Sequence, residues 1–161
     1  MRFGIGYDIH RLAEGRPLVL GGKTIPYNLG PDGHSDADVL THAVIDGLLG
    51  AAGLGDIGKI FGVDRQETKN ISSLVLLKRT MELIRRAGYS VNNMDATIVA
   101  ERPKLSEHTV EMRKNLAEIL EISPERVNIK TSTTQGLGET GNCLAIEVYA
   151  VVSINEDEKK S

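Results

Sequence analysis

The closing segment Leu144–Ile154 constrains this chain more than any other feature. Leu144-Ala145-Ile146 and Val148 to Val152 are apolar at consecutive positions, and successive side chains of a strand point to opposite faces, so the segment puts apolar groups on both sides of its sheet. Helices of the same chain can cover one side. The other side needs further cover, which makes such a strand awkward in the one-sided sheet of a monomer.

Helices are available to supply the first cover. Val39, Leu40, Ala43, Val44, Leu48 and Leu49 recur at helical spacing after Ser35 or Asp36, either of which can cap the start, and Gly53 ends the run. A second helix is predicted over Ser72–Ala87 with Gly88 as its stop, and a third over Glu107–Glu121 with Pro124 barring continuation. Between them lie strands Arg2–His10, Met94–Ala100, Arg126–Ser132 and Leu144–Ile154, and a hairpin, Pro17–Leu20 and Thr24–Tyr27 joined through Gly21-Gly22. Loops are predicted at Leu29–Gly33, Gly53–Gly62 and Gln135–Asn142, and the segment to Asn70 is polar and without a period. Strands alternating with three helices imply a single-domain α/β fold, a mixed β-sheet with three helices on one face. With 161 residues, 40% of them apolar, the chain can bury one sizeable core. The expected domain spans residues 1–155, followed by a charged tail at 156–161.

Charge and cysteine content narrow the function classes. The net charge of -3 comes from 22 acidic and 19 basic residues spread along the chain, so no basic stripe tracks a nucleic-acid backbone. Cys143 is the single cysteine, which excludes an internal disulfide and a multi-cysteine zinc cage and fits a reducing compartment. Any metal must therefore use His and carboxylates. No apolar run approaches membrane-spanning length, and the expectation is a soluble, cytoplasmic protein with no membrane or nucleic-acid partner.

Three groups of residues carry possible chemistry. Asp8 and His10, two apart on a predicted strand, share a face and can converge on one ion, with His42 as the natural third ligand. Spacing leaves open an alternative in which His10 ends a strand in solvent and His42 faces outward. Asp46, one turn beyond His42, either orients that ring as metal-bound imidazoles require or is a solvated neighbour. His34 and Ser35 precede the first helix, whose unpaired NH groups and positive dipole end suit a phosphate; the alternative is that Ser35 or Asp36 serves only as a cap. Ser132, Thr133, Thr134 and Gln135 run from a strand end into glycines and can hold phosphate oxygens, while β-propensity alone also explains successive threonines. His108 has no evident partner and reads as a surface residue.

Taken together, Gly4-Ile5-Gly6-Tyr7-Asp8-Ile9-His10, Leu20-Gly21-Gly22, Ile25-Pro26-Tyr27, Gly33-His34-Ser35-Asp36-Ala37-Asp38-Val39, Leu54-Gly55-Asp56-Ile57-Gly58-Lys59, Pro103-Lys104 and Thr133-Thr134 resemble the 2-C-methyl-D-erythritol 2,4-cyclodiphosphate synthase family. These are bacterial and plastid enzymes of the non-mevalonate isoprenoid pathway, and the similarity covers the chain to about Ile154. The resemblance implies that Asp8, His10 and His42 bind zinc. It implies that His34 and Thr133 steady charge on phosphoryl oxygens while the 2-phosphate of 4-diphosphocytidyl-2-C-methyl-D-erythritol 2-phosphate attacks the β-phosphate and CMP leaves. Asp56, Ile57 and Gly58 match positions for the erythritol part, and Ala100, Pro103, Lys104 and Leu105 match the segment for the cytidine, with Lys104 near the phosphates. The family forms homotrimers, its sheets around a threefold axis and its active sites between neighbours, and burial between subunits would cover the two-faced last strand.

The chain departs from the family at several positions. Gln135 stands where a Glu helps hold magnesium or manganese, and an amide oxygen coordinates such an ion more weakly than a carboxylate. Phe61-Gly62-Val63-Asp64 replaces Phe-Pro-Asp, so Asp64 substitutes from one residue further on. Asn142 replaces the Arg linked to an isoprenoid diphosphate in the central cavity. Two other readings compete with the cyclase: a zinc phosphodiesterase that lets water attack the diphosphate, and a catalytically decayed trimer with structural zinc.

Overall fold

The computed structural model describes residues 1–33, 35–62 and 71–157. Its centre is a mixed five-stranded sheet with two neighbours, β1 (Arg2–Glu14) and β5 (Tyr89–Val99), flanking β7 (Ala145–Glu156). Outside these lie β4 (Leu29–Pro31) beside β1 and β6 (Val127–Ser132) beside β5. In this sheet the β5–β6 pair is parallel, while β1 with β4, β1 with β7 and β5 with β7 are antiparallel. A separate hairpin pairs β2 (Leu18–Leu20) with β3 (Lys23–Ile25). Its two-residue turn, Gly21-Gly22, has φ of 55° and 72°, a conformation that glycine adopts without steric cost.

The helices are α1 (Val39–Ala52), α2 (Ile57–Phe61), α3 (Ser73–Arg86), α4 (Thr109–Leu120) and α5 (Gly138–Gly141). Both α2 and α5 fall in segments read from sequence as loops, and each is too short to show a helical period. α1, packed against β1, β7 and α3, is buried nearly all round, from Val39 through Ala52. Ile146, Val148, Ala150, Val152 and Ile154 of β7 are buried on the sheet's helix-covered side, with Val152 against Gly47 of α1. Among the described residues no helix is long and apolar enough to cross a membrane.

Two details correct the sequence reading. β5 begins at Tyr89 rather than Met94, because a bulge between Val91 and Asn93 breaks the alternation that marks a strand. α1 begins at Val39 and is capped by Asp38, not by Ser35 or Asp36. Asp38 is fully buried and accepts from Thr41 N, Thr41 Oγ1, Gly21 N and Gly22 N, at 3.0, 2.7, 2.9 and 2.8 Å. The hairpin turn supplies the two extra NH donors, which is why Asp38 rather than Ser35 or Asp36 is the cap used. As the two-faced last strand leads one to expect, the described residues leave the outer face of the sheet uncovered. Phe3, Ile5, Tyr7 and Ile9 of β1 and Tyr149 and Val151 of β7 stand exposed there, Ile5 at 70%.

Candidate active site

Asp8, His10 and His42, a group able to hold a metal ion, owe their meeting to two glycines. Even-numbered residues of β1 face α1, and a Cβ on Gly4 or Gly6 would fall 2.0 Å from Gly47 O or 1.8 Å from Ala43 O. Strand and helix therefore touch backbone to backbone, closer than any side chain permits. Asp8 and His10 continue the same face, and His42 on α1 stands beside them. Asp8 Oδ2 lies 3.0 Å from His10 Nε2 and 3.0 Å from His42 Nδ1. One ligand atom from each residue lies within 4.8 Å of the others.

Both imidazoles are held from behind. His10 Nδ1 lies 2.6 Å from the carbonyl of Asp32, whose own NH donates to Arg11 O at 2.8 Å. His42 Nε2 lies 2.8 Å from Ser73 Oγ and 3.3 Å from Ser35 Oγ. Asp46, for which helical spacing left open either a hydrogen bond to His42 or a solvated side chain, instead accepts from Ile57 N through its Oδ1 at 2.7 Å, tying α2 to α1. Burial pushes the Asp46 carboxyl up, against the pull of the Ile57 NH. Burial would also raise Asp8, but the hydrogen bonds from His10 and His42 outweigh it and hold this carboxyl well below the usual range. Burial alone would lower His10; its hydrogen bond and charge contact with Asp8 prevail and raise it above 6.5. A carboxylate oxygen and two ring nitrogens whose other nitrogens are occupied match the donor set and outer support of a divalent transition-metal site.

The other predicted site residues fall into distinct places. Asp56 caps α2 by accepting from Lys59 N at 2.8 Å, with Ile57 and Gly58 in its first turn. Ser35 Oγ accepts from Ala37 N at 3.1 Å beside His42. Ala100, Pro103, Lys104, Leu105, Ser132 and Thr133 line one cavity of about 220 Å³ beyond the ends of β5 and β6. Thr134 lines another hollow with Ile9, Leu137 and Glu147, on the uncovered face of the sheet. Gln135 is exposed, with a positive φ of 53°, and its NH donates to Thr133 Oγ1 at 3.1 Å. His34 and Asp64 lie outside the described residues. His108 sits in a one-turn 3-10 helix, Ser106–His108, and is not part of the Asp8–His10–His42 cluster. Sequence reading missed Arg16, whose Nη2 donates to Gly33 O at 2.8 Å and Ser35 O at 3.1 Å across the loop before α1. Backbone carbonyls are its partners, and they leave no trace in side-chain pattern.

The fold and this cluster define an α/β protein with a candidate His/His/Asp site for a divalent metal. The sequence model of the YgbB family matches residues 1–155. The chain belongs to this family. A 2-C-methyl-D-erythritol 2,4-cyclodiphosphate synthase of Clostridium beijerinckii is 51% identical over 154 residues, 96% of this chain and 98% of that protein. The bifunctional IspDF from Campylobacter jejuni superposes with a TM-score of 0.94 at 37% identity, covering 98% of this chain but only 42% of that longer one. The Plasmodium falciparum IspF CDP complex has a TM-score of 0.85 at 32% identity, covering 98% of this chain and 97% of that one.

Proposed function

We propose that the protein is a 2-C-methyl-D-erythritol 2,4-cyclodiphosphate synthase. It would convert 4-diphosphocytidyl-2-C-methyl-D-erythritol 2-phosphate to the 2,4-cyclodiphosphate and CMP, acting in the cytoplasm through one domain, 1–155, with residues 156–161 as a tail. The observation that carries this reading is the convergence of Asp8, His10 and His42 within 4.8 Å, in a chain half identical to synthases of that name. Zinc at these three ligands would supply Lewis-acid polarisation of a β-phosphate oxygen. The chain's own part is positioning. The 2-phosphate oxygen forms the new P–O bond as the bond to CMP breaks, so substrate supplies both nucleophile and leaving group, and the ends must be held in line with water kept out.

In this reading the 220 Å³ cavity takes the cytidine, with Lys104 reaching toward the phosphates. Thr133 and His34 stabilise phosphoryl charge, Ser35 at the helix start adds a phosphate contact, Ser132, Thr134 and Gln135 complete the phosphate contacts with a magnesium or manganese ion, and Asp56, Ile57, Gly58 and Asp64 bind the erythritol part. The CDP-bound relative from Plasmodium falciparum supports a cytidine nucleotide as ligand. The working form would be a homotrimer, with active sites between neighbours. Supporting this is the bare apolar row Phe3, Ile5, Tyr7, Ile9, Tyr149 and Val151, since exposed apolar patches of this kind mark association surfaces.

The test is incubation with the cytidylated substrate, zinc and magnesium, followed by phosphorus NMR. Cyclic diphosphate and CMP in equal amounts are expected. A linear methylerythritol diphosphate would assign hydrolysis instead, and an unchanged substrate would assign the zinc a structural role.

A further inference from the structure

We infer that Ser73, backed by Asp36, is a positioning residue that fixes the ring of His42 for its metal. This rests on the reading that Asp8, His10 and His42 hold a divalent cation. When a cation takes the lone pair of Nδ1, the remaining ring proton sits on Nε2, and a proton in this partly buried place needs an acceptor. Ser73 Oγ lies 2.8 Å from Nε2 and the residue is fully buried. A serine hydroxyl can donate or accept, so by itself it would leave the ring orientation open. Asp36 removes that freedom: its Oδ1 takes the Ser73 hydroxyl proton, and its Oδ2 accepts Ser73 N at 2.9 Å. A carboxylate only accepts, so the Ser73 oxygen is left to receive the His42 NH.

The anchor is itself held. Asp36 N donates to Ile71 O at 3.2 Å, so the loop before α1 and the first turn of α3 are tied at two points beside the cluster. Ser35 is the weaker candidate for this role, at 3.3 Å from Nε2 and already accepting from Ala37 N. His10 shows the same design with a different acceptor, the carbonyl of Asp32 at 2.6 Å. Outer partners of this kind set the tautomer and basicity of a ligating imidazole, and their loss typically weakens metal binding about 10–100-fold.

The experiment uses the full-length protein, with zinc affinity measured by competition against a chromophoric chelator and the ring NH followed by nitrogen-15 NMR. Ser73→Ala is expected to bind zinc about 10–100-fold more weakly and to lose the slowly exchanging His42 Nε2–H signal of the zinc-loaded protein. Ser73→Thr, which keeps the hydroxyl, is expected to restore both. Should Ser73→Ala fail to fold, Asp36→Asn carries the same sign, with weaker zinc binding and faster NH exchange. Wild-type zinc affinity and an intact NH signal in the Ala variant would overturn the inference alone. A wild-type protein that takes up no zinc would overturn the metal reading and the inference with it.

Discussion

Gly6→Ala tests whether the close approach of β1 and α1 sets the geometry of the metal site. The added Cβ would lie 1.8 Å from Ala43 O and 2.8 Å from Gly47 N. Carbon–oxygen contacts settle near about 3.3 Å, so helix and strand must part by roughly 1.5 Å. Ala43 directly follows His42, whose Nδ1 lies 3.0 Å from Asp8 Oδ2, and the displacement passes to that ring. Metal–ligand distances tolerate only about 0.2 Å. The same crowding costs about 1–3 kcal/mol in the packed interior, which lowers the melting temperature by roughly 3–10 °C for a chain of this size. Gly50→Ala is the control: it lies in the same helix, and its Cβ would meet nothing nearer than Ile5 O at 4.0 Å. That variant is expected to keep its zinc and to gain up to about 1 kcal/mol. Calorimetry and zinc competition on both variants decide the matter. A Gly6→Ala protein with wild-type zinc affinity and a melting temperature within about 1 °C of wild type would refute the reasoning.

The metal-free protein should be steadied by the Asp8–His10 pair within a definite pH window. Asp8, held below the usual carboxylate range, contributes stability present above about pH 4 and lost on acidification. His10, raised, contributes stability present below about 6.5 and lost as pH climbs through its folded value. The melting-temperature gap between wild type and Asp8→Asn in chelator is therefore expected to peak between these limits, and a gap independent of pH would count against the pair. Asp38→Ala strips the acceptor from Gly21 N, Gly22 N and Thr41 N at once, and is expected to cost about 3–5 kcal/mol in urea unfolding, well above an ordinary cap loss. Ile5→Asp places a charge in the uncovered apolar row; for the proposed trimer, sedimentation of this variant is expected to show monomers, and a variant that sediments like the wild type would count against association through this face.

How much of this was legible beforehand varies with the type of interaction. Period-two spacing in a strand is a strong rule, so Asp8 and His10 could be placed on one face, and the doubly apolar last strand announced the uncovered side that Tyr149 and Val151 now occupy. The near contact of β1 with α1 was carried by Gly4 and Gly6, small residues whose purpose appears only when the helix is in place. Partners distant in sequence were not legible. Ser73 lies 31 residues from His42, and Asp32 acts through its backbone carbonyl, so neither has a spacing to recognise. Asp46 shows the opposite failure: its helical spacing from His42 was real, but the NH of Ile57 took its carboxylate.

The most direct test of the account is the zinc content of the dialysed protein by elemental analysis, wild type beside His42→Ala. One zinc per chain in the wild type and essentially none in the variant is the expected result. Equal zinc in the two proteins would contradict the claim that Asp8, His10 and His42 share one ion.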